Sequence, residues 1–296
     1  MAPAGRLTDP GARMVTLDQG GWIRDDAHLE APCDMLHDLV EHTFMLDVRH
    51  ARQSSWMILP DYSAHILVHL AGRPDSPRVG SCSVVGPRTV PIEVDVADRL
   101  WTIGARLRPG ALPALIRLPA SDMVDVGAGA GAVWGSEGDS LDGRLSAEPD
   151  PRVLLRHVVE FLAERARREP ERDWRAQGLS RQVLESGGTI RVEDIAERMG
   201  SSVRSLRVSS RDLIGVAPKR FARTHRLFRA IDTARRSSAP DWARIATASG
   251  YADQPHLVRD FGSLLGESPT RFHARGVRAA DSFNTPVGPV GILGRP

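Results

Sequence analysis

A short pattern occurs twice in the C-terminal third of this chain and limits what that third can fold into. Ile195-Ala196, Gly200 and Leu206 recur as Ile245-Ala246, Gly250 and Leu257, with the two Ile-Ala pairs 50 positions apart. In each copy, Gly four residues after the Ala reads as the end of a short, one-sidedly buried helix in a tight turn, and the later Leu anchors a second helix across it. Two helix-turn-helix units in tandem follow. Because the second helix of such a unit turns its outer face to a major groove, the pair predicts a protein that meets two neighbouring groove segments of double-stranded DNA.

The residues around the repeat fill in both units. Val192 to Met199 reads as the first helix of the first unit, and Ser201 or Ser202 caps the next through its hydroxyl. Arg204, Arg207 and Arg211 then share an outer face, while Leu206 and Leu213 take the inner one. In the second unit Gln254-Pro255 opens the second helix, with Pro in a first-turn position where its missing N–H costs nothing. His256, Arg259 and Ser263 face outward there, and Leu257, Phe261 and Leu264 inward. Between the units, Pro218 to Arg236 reads as one helix with Phe221, Leu227, Ile231 and Ala234 toward the core. At about 1.5 Å per residue it spans about 28 Å, near the about 34 Å between successive major-groove faces on one side of DNA.

Charge divides along the same line. Residues 189–278 carry 17 Lys and Arg against nine Asp and Glu, a net +8, while the remainder carries 22 against 28, a net −6. A basic segment suits phosphate binding, where released counterions supply the sequence-independent share of affinity. Cys33 and Cys82 are the only cysteines and form no CxxC or Cys/His cluster, so neither a zinc site nor a disulfide framework is expected. No run of 18 apolar residues occurs, and Pro3, Pro10 and several charges interrupt the N-terminus, so a cytoplasmic protein without a membrane span is expected.

Residues 189–273 resemble the DNA-binding domain of AraC-type transcription regulators. The resemblance rests on Gly250-Tyr251-Ala252-Asp253-Gln254-Pro255-His256-Leu257-Val258-Arg259-Asp260-Phe261, continued by Gly266-Glu267-Ser268-Pro269 and Phe272, and on Gly215-Val216-Ala217-Pro218 and Phe221 after the first unit. It implies that Arg204, Ser205, Arg207, Gln254, His256 and Arg259 read bases, with Ser202, Arg211, Lys219, Arg220, Arg223 and Arg226 on the DNA backbone. It further implies an activator that touches RNA polymerase under control of a small-molecule effector or a partner, with pairing into homodimers an option. The chain departs from the family where Val208-Ser209-Ser210 replaces an Arg-x-Phe, so the second unit is expected to carry most of the base specificity and the first to dock mainly on the backbone.

The N-terminal half reads as strands and turns. Trp56 to Leu59, Ala64 to Leu70, Ser83 to Val85, Ile92 to Val96 and Trp101 to Leu107 are strand-like runs bounded by Gly, Pro or charge, as in a small antiparallel barrel or sandwich. It resembles, more weakly, the cupin-like sensor domains that precede this DNA-binding module. Trp56, His65, His69, Trp101 and Arg106 are the candidate effector pocket; a cupin metal set of His-x-His with a following Glu and His is absent, so no metal or other cofactor is expected. Gly127 to Ala132 reads as a dinucleotide fingerprint only as a string, since no βαβ alternation surrounds it, and Ser81-Cys82-Ser83 lacks the spacing of a nucleophile elbow.

The chain is thus expected to be an α+β multidomain regulator and not an enzyme. Residues 1–148 form a β-rich sensor or dimerisation domain, 149–187 a helical connector, 188–275 the all-α DNA-binding domain and 276–296 a flexible tail. The competing readings are a ligand-independent repressor and a cupin-like enzyme fused to a DNA-binding domain.

Overall fold

The computed structural model describes residues 13–17, 21–25, 34–49, 54–73, 76–96, 99–168, 174–235 and 237–274. The expected tail and Cys33 lie outside them. The N-terminal region is an antiparallel sheet built from β1 (Arg13–Leu17), β2 (Gly21–Asp25), β3 (Val40–Arg49), β4 (Ser54–Ile58), β5 (His65–Arg73), β6 (Ser76–Val85), β7 (Ile92–Val96), β8 (Arg99–Leu107) and β9 (Gly127–Gly129). Seven strands pair in the order β1-β2-β3-β8-β5-β6-β9, and β4 with β7 forms a separate two-stranded sheet. The large sheet ends at β1 and β9 without closing, so the expected barrel is an open one.

Alternation along the central strands decides which face is core. Ile66, Val68 and Leu70 of β5 lie opposite Ala105, Ile103 and Trp101 of β8, and all six are buried. They pack against α1 (Asp34–His37), α2 (Pro113–Ile116) and the helices that follow the sheet. The intervening residues His65, Leu67 and His69 point to the other face with Arg106, Gly104 and Thr102.

The glycine-rich stretch from Gly127 to Gly143, expected to be an irregular connection, is ordered. It forms β9, then α3 (Ala130–Trp134) and α4 (Ser136–Ser146). The reason is burial at helical spacing: Trp134, Gly138, Leu141 and Leu145 share one inward face. Gly138 sits so close to the Ala130 carbonyl that no Cβ would fit, and the Trp134 indole N–H donates to the Leu115 carbonyl at 3.0 Å. Helix α5 (Pro151–Arg167), capped by Asp150, and α6 (Trp174–Glu185) then lead into the C-terminal region.

That region is all-helical: α7 (Val192–Arg198), α8 (Val203–Ile214), α9 (Pro218–Arg235), α10 (Trp242–Ala248), α11 (Gln254–Leu265) and α12 (Pro269–Ala274). Both repeat glycines occupy the left-handed region, Gly200 at φ 58° and Gly250 at φ 80°, which is why the turn after each Ile-Ala helix needs Gly. The N-terminal region is seated on this unit. Met57 and Leu59 enter the core around α9, α10 and α11, and Tyr62 enters the core around α7 and α8. The Tyr62 hydroxyl bonds Thr224 Oγ1 at 2.9 Å, and Arg220 donates to the Thr89 carbonyl at 3.0 Å.

Burial of His225 on α9 yields a pH prediction. Its ring lines a cavity between the two regions with Glu41, Asp61 and Arg106, and desolvation, helped by the Arg229 charge, lowers its pKa from 6.5 to about 4. The unfolded chain therefore binds a proton between these values that the folded one does not. Stability is full above pH 6.5 and falls on acidification, by roughly 2 kcal/mol from this group at pH 5. Asp61, whose pKa burial raises, acts in the opposite sense, so the informative comparison is with His225→Gln. Urea unfolding at pH 7 and pH 5 should show wild type losing more stability than His225→Gln by about that amount; equal losses refute it.

Candidate nucleic-acid interface

The two units correspond position by position from their caps onward. Ser202 accepts the Ser205 N–H at 3.1 Å and Asp253 accepts the His256 N–H at 2.7 Å, and each capped helix runs 12 residues to a left-handed Gly215 or Gly266. Leu206, Ser210 and Ile214 are buried in the first unit where Leu257, Phe261 and Leu265 are buried in the second. The opposite faces are open. Arg204, Arg207 and Arg211 of α8 and Gln254, Val258 and Arg259 of α11 are exposed, whereas Ser205 and His256 are half-buried.

Three of the predicted residues of the first unit lie together, and Arg207 and Arg211 stand outside their groove. Ser202, Arg204 and Ser205 line a groove of about 500 Å³ along α8, together with Val208 and Asp212. Arg175 of α6 borders the same groove, a residue sequence reasoning missed because it lies outside the repeat. In the second unit Arg259 curls back so that Nε donates to the Pro255 carbonyl at 3.3 Å. The His256 ring packs edge-on against Tyr251 at 5.1 Å, which leaves it less free than Gln254 or Arg259.

Two of the arginines expected on the DNA backbone make contacts within the domain. Arg223 Nε donates to Asp260 Oδ1 at 2.6 Å, a carboxylate only 4% exposed, and so ties α9 to α11. Arg226 lies 4.9 Å over the Tyr251 ring, whose hydroxyl pKa burial pushes up, and reaches the Gly250 carbonyl. Their guanidinium groups hold the second unit together. Arg220 is exposed but already donates to Thr89, while Lys219 and Arg211 remain on the surface.

Ser210 is neither exposed nor surrounded by space: it is fully buried, and its hydroxyl donates to the Val216 carbonyl at 2.6 Å, closing the end of α8.

The candidate effector residues do not form one pocket. Trp101 lies on the core face of the sheet, and His65, His69 and Arg106 on the other. The Trp56 side chain lies outside the described residues. His69 is exposed, with Nδ1 at 3.0 Å from Thr102 Oγ1. Arg106 is buried in a charge cluster, bidentate to Asp61 and 2.7 Å from Glu41, and it borders the cavity between the regions. His65, against this cluster, is held well below its ordinary pKa by burial and the Arg106 charge. No group of His, Cys, Asp or Glu able to hold a metal occurs among the described residues, and no helix there is long and apolar enough to cross a membrane.

Residues 195–275 match the family described as a helix-turn-helix domain. The C-terminal region is an AraC-type helix-turn-helix domain. This makes the chain a DNA-binding transcription regulator. Residues 29–128, most of the sheet, match a domain of unknown function (DUF6597). No curated protein matches the chain. Among solved structures, ToxT from Vibrio cholerae O395 is similar at 10% identity and TM-score 0.39, over 78% of this chain and 96% of that one. ToxT of the same strain bound to (E)-4-(8-methylnaphthalen-1-yl)but-3-enoic acid gives 12%, 0.40, 78% and 97%. Similarity at that level adds nothing to what the domain match establishes about the AraC-type unit.

The Arg223–Asp260 pair separates folding from DNA contact. Arg223→Ala leaves a buried carboxylate without its cation and should cost about 3–5 kcal/mol of stability. Arg259→Ala, at an exposed position, should change stability by no more than about 0.5 kcal/mol. Urea unfolding of both variants checks this, and an Arg223→Ala protein as stable as wild type overturns the structural role.

Proposed function

We propose that the chain reads a specific duplex sequence by laying α8 and α11 in successive major grooves, with the N-terminal sheet region controlling how α9 holds them. The observation that carries this reading is the pair of equivalent helices, each capped, buried along one side and lined on the other by arginine and polar side chains. Arg204, Arg207, Gln254 and Arg259 are the proposed base readers, since Arg grips guanine and Gln adenine through two hydrogen bonds. Ser202, Ser205 and His256 flank them, and Arg211 and Lys219 are left for the phosphates. The helix between the units is 18 residues long, about 27 Å, close to one turn of DNA.

Control by a small-molecule effector or partner is proposed to act at the seam between the regions. There a small cavity of about 30 Å³, room for about one water, is bordered by Arg106, Tyr62 and His225 and touches both the sheet and α9. An effector or partner that moves the sheet region would thus act by shifting Tyr62 and the charge cluster against α9, not by filling this cavity. Activation of transcription is the proposed outcome of such binding.

Two measurements on the full chain test the reading. Binding to a duplex selected from a random pool should weaken about a thousandfold between about 50 and 200 mM salt if roughly six phosphates are neutralised. Arg259→Ala should lose about 1–3 kcal/mol on the selected duplex and far less on random duplex. Failure to select any sequence, or equal losses on both duplexes, counts against base reading by this face.

A further inference from the structure

Counted from the caps Ser202 and Asp253, the fifth and sixth residues of the two reading helices are Arg207-Val208 and Val258-Arg259. One arginine and one valine thus stand side by side at the same two positions of each unit, in reversed order. All four are exposed, Val208 at 52% and Val258 at 38%, and neither valine joins a hydrophobic cluster. A single apolar side chain on a surface needs no explanation. Two of them at neighbouring positions of equivalent helices, each beside an exposed arginine on the face proposed to meet DNA, do, the more so because a β-branched residue at an exposed helical position is a poorer helix former than Ala or Arg.

The major groove has one apolar mark that distinguishes a base pair, the C5-methyl of thymine, and apolar side chains read it by contact. Around Val208 the groove along α8 is lined mainly by polar groups, Arg175, Arg204, Ser205, Ser209 and Asp212, and its other apolar residue, Leu213, packs against the core of the unit, so the Val208 isopropyl group is its exposed apolar element. We propose that Val208 and Val258 are specificity residues that read thymine methyls beside the bases gripped by Arg207 and Arg259. Each helix then presents a composite reader, a cation for guanine and an apolar contact for thymine. The replacement of an arginine by Val208 in the first unit exchanges one base preference for another. This inference rests on the proposed docking of α8 and α11 in the major groove.

The test uses the full chain and a duplex selected from a random pool, rebuilt with deoxyuridine in place of one thymine at a time, which removes the methyl and keeps the base pair. Wild type should bind about fourfold more weakly when a critical methyl is lost from either half-site, the about 0.8 kcal/mol of one buried carbon. In Val208→Ser, which replaces the apolar contact with a polar group, that penalty should vanish at one half-site and persist at the other, and in Val258→Ser the reverse; unchanged thermal melts confirm that both variants are folded. The proposal is overturned if the selected duplex has no thymine under either helix. It is also overturned if wild type binds every deoxyuridine duplex as tightly as the parent, or if the penalties persist in both variants. Selection of no sequence at all would instead overturn the base-reading function, and this inference with it.

Discussion

Helix α9 belongs to two cores at once, and the placement of both reading helices depends on that. Phe221 and Ala222 are buried with the first unit, and Leu227, Ala230, Ile231 and Ala234 with the second. A continuous helix shared this way cannot bend between them without breaking its own hydrogen bonds or opening a core. The Arg223–Asp260 pair fixes α11 on it at one point, and Arg226 over Tyr251 fixes the turn that precedes α11 at another. Basic residues that composition assigns to a phosphate-binding surface are therefore partly the internal fastening of the domain.

The N-terminal region bears on the same helix through a short segment whose own rigidity comes from buried charge. Asp61 accepts from Arg106 at both oxygens and from the Ser63 N–H at 3.0 Å, and its backbone bridges Arg88. Tyr62, between these two anchored residues, is thereby held against Thr224 and Phe221. Such a cluster adds little net stability, because desolvation offsets most of its attraction, but removing one partner is costly. Its consequence here is geometric: the position of Tyr62 follows that of the Asp61–Arg106 pair.

What was legible in the sequence follows from whether the signal was local. The paired units, their caps and the central strands β4, β5, β7 and β8 rest on periodicity and turn residues within a few positions and stand in the structure with nearly the expected bounds, whereas β6 runs from Ser76 to Val85 where only Ser83 to Val85 was expected. Helices α3 and α4 were hidden because glycine count outweighed the inward spacing of Trp134, Leu141 and Leu145. Strand β3 gave no clear alternation, since both faces of its central part are packed, Phe44 on one side and Met45 on the other. The roles of Arg223 and Arg226 depend on partners 37 and 24–25 positions away, which no spacing rule within a helix reveals. The effector set failed as a group for a simpler reason: strand alternation places Trp101 on the face opposite His65, His69 and Arg106.

The serine at 210 joins these threads. In the second unit Phe272 packs on Phe261 with ring centroids 5.6 Å apart, and Trp242 packs on Phe261 at 5.7 Å, so the aromatic core is complete within the unit. Phe221 is the counterpart of Phe272, and Ser210 that of Phe261, so Phe221 has no aromatic neighbour at that place in its own unit. Its ring partner is Tyr62 instead, edge-on at 5.7 Å, supplied by the N-terminal region. The small side chain at 210 turns its hydroxyl to the Val216 carbonyl, and the aromatic contact comes from the other side of Phe221. Pro87 and Val124, also N-terminal, crowd Gly215 at the end of α8. The departure from the repeat is therefore where the first unit gives up part of its self-sufficiency to the sheet region. The support of α8 thus runs through Tyr62 on Phe221 and the residues around Gly215, while α11 meets the N-terminal region through Met57 and Leu59.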